Sequence, residues 1–193
     1  NKTSSMDAEF NLSRSVENIL SAGAKKDNLI LGLAFYGRCW EGDFSNVSSS
    51  NPRVAATGPC IGGYEKGTLE YKDVPGYYSD GDTVTGKAKF KGKSFAYKWD
   101  SKAKASYLIG GKGGAKNEFI TYTDPRAIYY QACYAKKKDL MGVMVWVHYA
   151  EEKNRHDLYR AMDAGLYGND LSTVFPNATE KCSDIASLDS YGE

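Results

Sequence analysis

The stretch "LGLAFYGRCW", residues 31–40, closes an apolar run with a phenol, a guanidinium and an indole. Tyr36, Arg38 and Trp40 follow Leu31, Leu33 and Phe35. A second apolar run, "MGVMVWV" at 141–147, delivers Met144 and Trp146, with His148, Glu151 and Glu152 just beyond. Planar amphipathic rings stack on flat apolar ligand faces while their polar edges hydrogen-bond. Rings and a guanidinium together at strand ends are the equipment of a carbohydrate cleft. The chain is rich in such rings, with 15 Tyr, 7 Phe and 3 Trp in 193 residues. Pleated strands carrying Tyr on their surfaces are the competing use of them.

Other chemistries are poorly served. The four cysteines, Cys39, Cys60, Cys133 and Cys182, show no C-x-x-C spacing, and His148 and His156 lie near none of them. No metal and no cofactor is therefore expected. A net charge of +1 lacks the basic excess that nucleic acid demands. No apolar run approaches the roughly 20 residues of a membrane-spanning helix. Glycosylation sequons begin at Asn1, Asn11, Asn46 and Asn177, and with the cysteines they point to a secreted glycoprotein. Four cysteines allow three pairings. Cys39 with Cys60, closing a loop after the first strand, is preferred; buried free thiols are the alternative.

The elements that must position these groups alternate. "SRSVENILSAG", 13–23, predicts a helix capped by Ser13, with Val16, Ile19 and Leu20 on one face and Gly23 at its exit. "NLILGLAF", 28–35, is a continuous apolar run, the pattern of a strand covered on both faces in a parallel sheet. "TDPRAIYYQACYAKKKDL" predicts a second helix, with Asp124 as N-cap, Pro125 in first position, and Lys136, Lys137 and Lys138 at the cation-favouring end. The run at 141–147 is a second buried strand, and a third helix near 155–164 ends at Gly165. This is an α/β alternation. Residues 39–122 are too many for a bare connection and predict an inserted subdomain with β character. In it, Lys87, Lys89, Lys91 and Lys93 alternate with smaller or apolar residues, a pattern that blunts an edge strand. "IGGKGGAKN", 109–117, predicts a flexible loop. The tail from Tyr167 predicts an extended segment tied down by Cys182. The opening "NKTSSMDAEF" has no initiator Met and no apolar leader, so residue 1 reads as an internal position of a longer parent.

At these residues a resemblance comes into view. "NLILGLAFYGRCW" resembles the seventh strand of family-18 glycoside hydrolases, the chitinases and chitinase-like lectins. "GGYEKGTLEYKDV" resembles the segment that opens the family's chitin insertion domain, and "FITYTDPRAI" the segment that closes it. "MGVMVWVHYAEE" resembles the eighth strand. The resemblance implies the carboxyl-terminal part of a TIM (β/α)8 barrel, strands 7 and 8 with flanking helices, carrying an α+β chitin insertion domain. The implied segments are 1–38, helix 6 and strand 7; 39–122, the insertion domain; 123–166, helix 7, strand 8 and helix 8; and 167–193, a tail.

The family hydrolyses β-1,4 links between N-acetylglucosamine units with retention, the substrate's own acetamide acting as nucleophile. A Glu from a D-x-x-D-x-D-x-E motif on the fourth strand is the acid. This chain carries no such motif, so no catalytic residue is expected in it and it should not be active alone. The resemblance implies sugar-contacting roles for Trp146, Tyr36, Arg38 and Asp73, with Met144 packed beside the indole. Asp73 stands where the family usually has Glu, Ala34 where it has Pro, Tyr149 where it has the first Asp after the Trp, and Glu151 and Glu152 where a pair of Asp follows. A hydrogen-bonded His148 is expected at the strand end. The expected partners are chitin or N-acetylglucosamine oligosaccharides and the remainder of the barrel, from the same parent chain or another. The alternatives are a non-catalytic lectin and a structural extracellular glycoprotein built on the same scaffold.

Overall fold

The computed structural model describes residues 11–48, 54–74, 87–90 and 93–185. Two sheets share one core. Strands β1 (Ile30–Ala34) and β9 (Gly142–Trp146) form a parallel pair in which Gly32 lies opposite Met144 and Ala34 opposite Trp146. The larger sheet is antiparallel, in the order β3 (Gly58–Pro59), β2 (Tyr36–Glu41), β8 (Glu118–Tyr122), β7 (Ala105–Gly111), β6 (Lys93–Asp100), β5 (Lys87–Phe90), with β4 (Thr68–Glu70) also paired to β2. The α/β alternation at the two ends of the chain is present, and the segment between them is β-rich and antiparallel. The lysine-rich stretch is two strands rather than one. β5 pairs back on β6 and forms the outer edge of the sheet.

Helix α1 (Leu12–Ser21) is capped two residues earlier than the sequence suggests. Asn11, not Ser13, is the cap: its Oδ1 accepts from the Arg14 N–H at 2.8 Å and from the Ser13 hydroxyl at 2.8 Å. Gly23 does take the left-handed exit, with φ 96°. Helix α2 (Pro125–Lys137) is capped as expected, Asp124 accepting from the Ala127 N–H at 2.8 Å. Its basic end has specific partners: Lys136 donates to the Tyr167 carbonyl at 2.7 Å, and Lys138 pairs with Glu17 of α1 at 2.6 Å.

Helix α3 (Asp157–Tyr167) runs past the expected stop at Gly165 and ends at Gly168, whose φ is 74°. Gly165 is a packing residue instead. A Cβ there would lie 2.6 Å from the Tyr129 carbonyl oxygen and 2.7 Å from the Ala132 Cβ, so its hydrogen lets α2 and α3 touch. The N-terminus of α3 has no cap from His156. The Glu151 carboxylate fills that role, accepting from the Leu158 and Tyr159 N–H groups at 2.8 and 3.2 Å.

Two further expectations are corrected. Residues 109–117 are not a flexible loop: Ile109–Gly111 complete β7 and Lys112–Gly114 make one short turn. Up to residue 185 the tail is folded, not extended. Leu171, Phe175 and Ile185 are buried in the core, and Arg126–Glu180 at 2.5 Å and Tyr130–Asp184 at 2.9 Å hold the tail to α2. Apolar residues in an otherwise polar stretch made this possible. The disulfides are Cys39–Cys60, as preferred, and Cys133–Cys182, which staples that tail to α2. Among the described residues, no helix is long and apolar enough to cross a membrane.

Candidate binding cleft at the ends of the parallel strands

Only one face of the parallel pair is covered by described residues. Leu31 and Leu33 point into the core with Ile128, Leu158 and Ala161. On the opposite face Ile30 is 48% exposed, Met144 45% and Trp146 65%. The expected burial of both faces is therefore corrected. No described element packs on the side that carries Ile30, Gly32, Met144 and Trp146, and an apolar stripe of this kind marks a surface meant for contact.

Phe35 is the pivot between the two sheets. Its N–H donates to the Trp146 carbonyl at 2.8 Å, and its own carbonyl accepts from the Tyr71 N–H at 3.0 Å. The ring is fully buried and meets Tyr159 of α3 edge-on, centroids 5.1 Å apart. The chain thus leaves β1 and enters β2 within one residue. Tyr36 therefore begins the larger sheet beside the carboxyl ends of β1 and β9. Gly37 has no room for a side chain: a Cβ would lie 2.5 Å from the Thr121 carbonyl oxygen and 2.7 Å from the Tyr122 Cβ. That close approach lets β2 and β8 run tightly together behind the Tyr36 and Arg38 side chains.

Arg38 is exposed and oriented from two sides. It donates to the Thr68 hydroxyl and, at 3.4 Å, to the Glu65 carboxylate, while Thr68 also donates to Glu65 at 3.0 Å. Its guanidinium lies 5.7 Å from the Tyr36 ring centroid. Asp73 ends the short turn after β4 and reaches Gly63, where a Cβ would lie 2.3 Å from its Oδ2. Met144 lies next to Gly32 across the parallel pair, its sulfur 3.6 Å from where a Gly32 Cβ would be. The structure thus brings Trp146 and Tyr36 to one end of the parallel pair, with Arg38 two residues further along β2.

Three groups at this end were not singled out as contact residues from sequence: Glu70, Lys72 and Tyr149. The Lys72 ammonium bonds to the Glu70 carboxylate at 2.7 Å and to the Tyr149 backbone carbonyl at 2.9 Å, and it lies 4.8 Å from the centre of the Tyr149 ring. Their only sequence signal was Tyr149, which departs from an acidic pattern. His148 is hydrogen-bonded, its Nδ1 2.7 Å from the Tyr159 hydroxyl. Glu151 is buried, and desolvation pushes its carboxyl pKa up against the three backbone N–H groups that favour the charge. It serves helix α3 and does not face the cleft.

Of the sequons, Asn46 and Asn177 are exposed. Asn11 is buried and occupied as a helix cap, and Asn1 lies outside the described residues.

Comparison with known proteins gives a consistent outcome. The model of the family "Glycosyl hydrolases family 18" matches residues 1–150. Chitinase A1 of Niallia circulans is 28% identical over 137 residues, 71% of this chain and 18% of the relative. Chitinase C of Streptomyces lividans is 37% identical over 79 residues, 41% of this chain and 12% of the relative. Among solved structures, the Ostrinia furnacalis Group IV chitinase in complex with allosamidin superposes with a TM-score of 0.62 at 19% identity, covering 82% of this chain and 40% of that one. Human YKL-39, described as a pseudo-chitinase with retained chitooligosaccharide binding properties, gives 0.61 at 17% identity with the same coverages. The chain thus spans less than half the length of each of these relatives.

Proposed function

Since the chain belongs to glycosyl hydrolase family 18, we propose that it is the carboxyl-terminal part of a secreted, chitinase-like (β/α)8 barrel that binds β-1,4-linked N-acetylglucosamine polymers. In this reading β1 and β9 are barrel strands seven and eight. Residues 39–122 are the insertion domain, 1–38 and 123–166 are barrel segments, and residues 167–185 are a docked tail. In this reading the strands that complete the barrel are supplied by the same parent chain or by another.

One observation carries the reading: the described residues cover one face of the parallel pair only, and its other face ends in the exposed Trp146. A closed barrel turns that face inward and fills it with side chains from its other strands. A groove of ≈ 470 Å³ beside β1, lined by Val16, Ile19, Leu29, Ile30 and Gly32 among others, offers the next strand a seat.

In the assembled cleft the Trp146 indole is the floor on which one sugar ring stacks. Tyr36 and Arg38 line one wall and donate to sugar oxygens, and Arg38 is pre-oriented by Thr68 and Glu65. Asp73 accepts from sugar hydroxyls at the base of the insert, and Met144 packs beside the indole. Hydrolysis with retention, assisted by the substrate acetamide, draws its acid from strands outside these residues. Asn46 and Asn177 are the glycan acceptors this surface favours.

The test is cleavage of N-acetylglucosamine oligomers by the intact protein, with the anomer of the first product read by NMR. Retained β-product supports the reading. Tight binding without cleavage favours the second one, a lectin, which the likeness to human YKL-39 and the loss of the acidic pattern at Tyr149 support. Neither binding nor cleavage contradicts both.

A further inference from the structure

Tyr149 combines two properties that rarely coincide. The residue is 53% exposed, yet it is held at several points by the segment after β4. Lys72 grips its backbone carbonyl at 2.9 Å and sits 4.8 Å from the ring centre. Glu70 closes the arrangement: it is mostly buried, binds Lys72 at 2.7 Å, and its carboxylate lies within reach of the Tyr149 phenol. A ring left in water gains nothing for the core. Holding it still lowers the ordering cost for whatever stacks on it. Tyr149 also stands three residues beyond Trp146, at the same end of β9.

We infer that Tyr149 is a second sugar-contacting ring of the cleft, that Lys72 and Glu70 are the residues that position it, and that it recognises N-acetylglucosamine oligomers long enough to reach past Trp146. The inference rests on the cleft reading above. Its chemistry is a ring face for the apolar side of a pyranose, edged by an ammonium and a carboxylate that exchange hydrogen bonds with ring hydroxyls. The same contact ties the insert to the loop after β9, so binding across it also fixes the depth of the cleft.

The experiment measures affinity of the intact protein for N-acetylglucosamine oligomers of increasing length by calorimetry. It compares the wild type with Tyr149→Ala, Tyr149→Phe, Lys72→Met and Trp146→Ala, and records the melting temperature of each. Expected for Tyr149→Ala is a loss of about fivefold for long oligomers and none for the shortest that bind. Tyr149→Phe keeps most of the affinity because the ring remains. Lys72→Met falls between them. If Trp146→Ala weakens binding while Tyr149→Ala leaves every length unchanged, the inference fails and the cleft reading stands. An equal loss at all lengths with a lowered melting temperature marks a structural role and also overturns it. If neither ring matters, the cleft reading itself falls, and this inference with it.

Discussion

Phe35 donates its backbone N–H to the carbonyl of Trp146 at 2.8 Å. This bond joins the last residue of β9 to the bend between the two sheets. It places the exposed indole next to the point where the inserted sheet begins, so the Tyr36 and Arg38 side chains start within a residue or two of it. Because Phe35 also accepts from Tyr71 at 3.0 Å, the base of the insert is fixed to the same point. These backbone bonds fix where β9, β2 and the turn after β4 meet.

Arg38 separates binding from folding. Its pair with Glu65 is at the surface, where ion pairs contribute little to stability, and the part-buried Thr68 hydroxyl keeps its own bond to Glu65 when the guanidinium is gone. Arg38→Met is expected to change unfolding free energy by less than about 0.5 kcal/mol. It should also lower affinity for N-acetylglucosamine oligomers. Denaturant melts and calorimetry on the same preparation check both.

The tail staple should matter more than the insert staple. Cys133–Cys182 closes a separation of 49 residues and Cys39–Cys60 one of 21. Loop-closure entropy assigns them about 4 and about 3 kcal/mol respectively. The first also ties down the segment that buries Leu171, Phe175 and Ile185 in the core. Paired serine variants of each bridge, compared by thermal melting, should show the larger drop for Cys133→Ser with Cys182→Ser.

Gly165→Ala should cost about 1–3 kcal/mol by pushing α3 away from Tyr129 and Ala132, since overpacking a tight contact costs that much. Gly23→Ala has open space around its Cβ and should lose about 1 kcal/mol from its positive φ alone. The difference between the two in a urea titration distinguishes crowding from backbone strain.

The phenols behind α2 make the fold sensitive to alkali. Burial pushes Tyr129 up to about 12 from 10.0 and moves Tyr97 and Tyr130 in the same direction. A folded pKa above the unfolded one means the folded state holds the proton longer. The stability tied to Tyr129 is therefore complete below pH 10 and lost as pH rises through about 12, with Tyr97 and Tyr130 holding their protons to still higher pH. Phenolate absorbance should then rise together with the loss of far-ultraviolet circular dichroism. Complete ionisation near pH 10 with the fold intact would contradict this.

The sequence shows the skeleton of this molecule well and its surfaces less well. Both strands of the parallel pair, the caps at Asp124 and Gly23, the β-rich segment between them and the Cys39–Cys60 pair follow from local rules of hydrophobic pattern and backbone preference. The misreadings share a cause. Gly165 looks like a stop until α2 is packed against it. Gly110 and Gly111 look like a loop until β6 pairs with them. The tail looks extended until its few apolar residues find the core. Each depends on a neighbour distant in sequence. Tyr36, Arg38 and Trp146, the proposed sugar contacts, were visible as two rings and a guanidinium at strand ends. Lys72 and Glu70 were not, because a lysine and a glutamate before a turn carry no signal until Tyr149 is beside them.

The most direct test of the central claim is a crystal structure of the intact protein soaked with an N-acetylglucosamine oligomer. The account predicts one sugar ring flat on the Trp146 indole, with Tyr36 and Arg38 bonded to the same oligomer. An oligomer bound elsewhere, or an indole sealed under protein with no open groove, would contradict it.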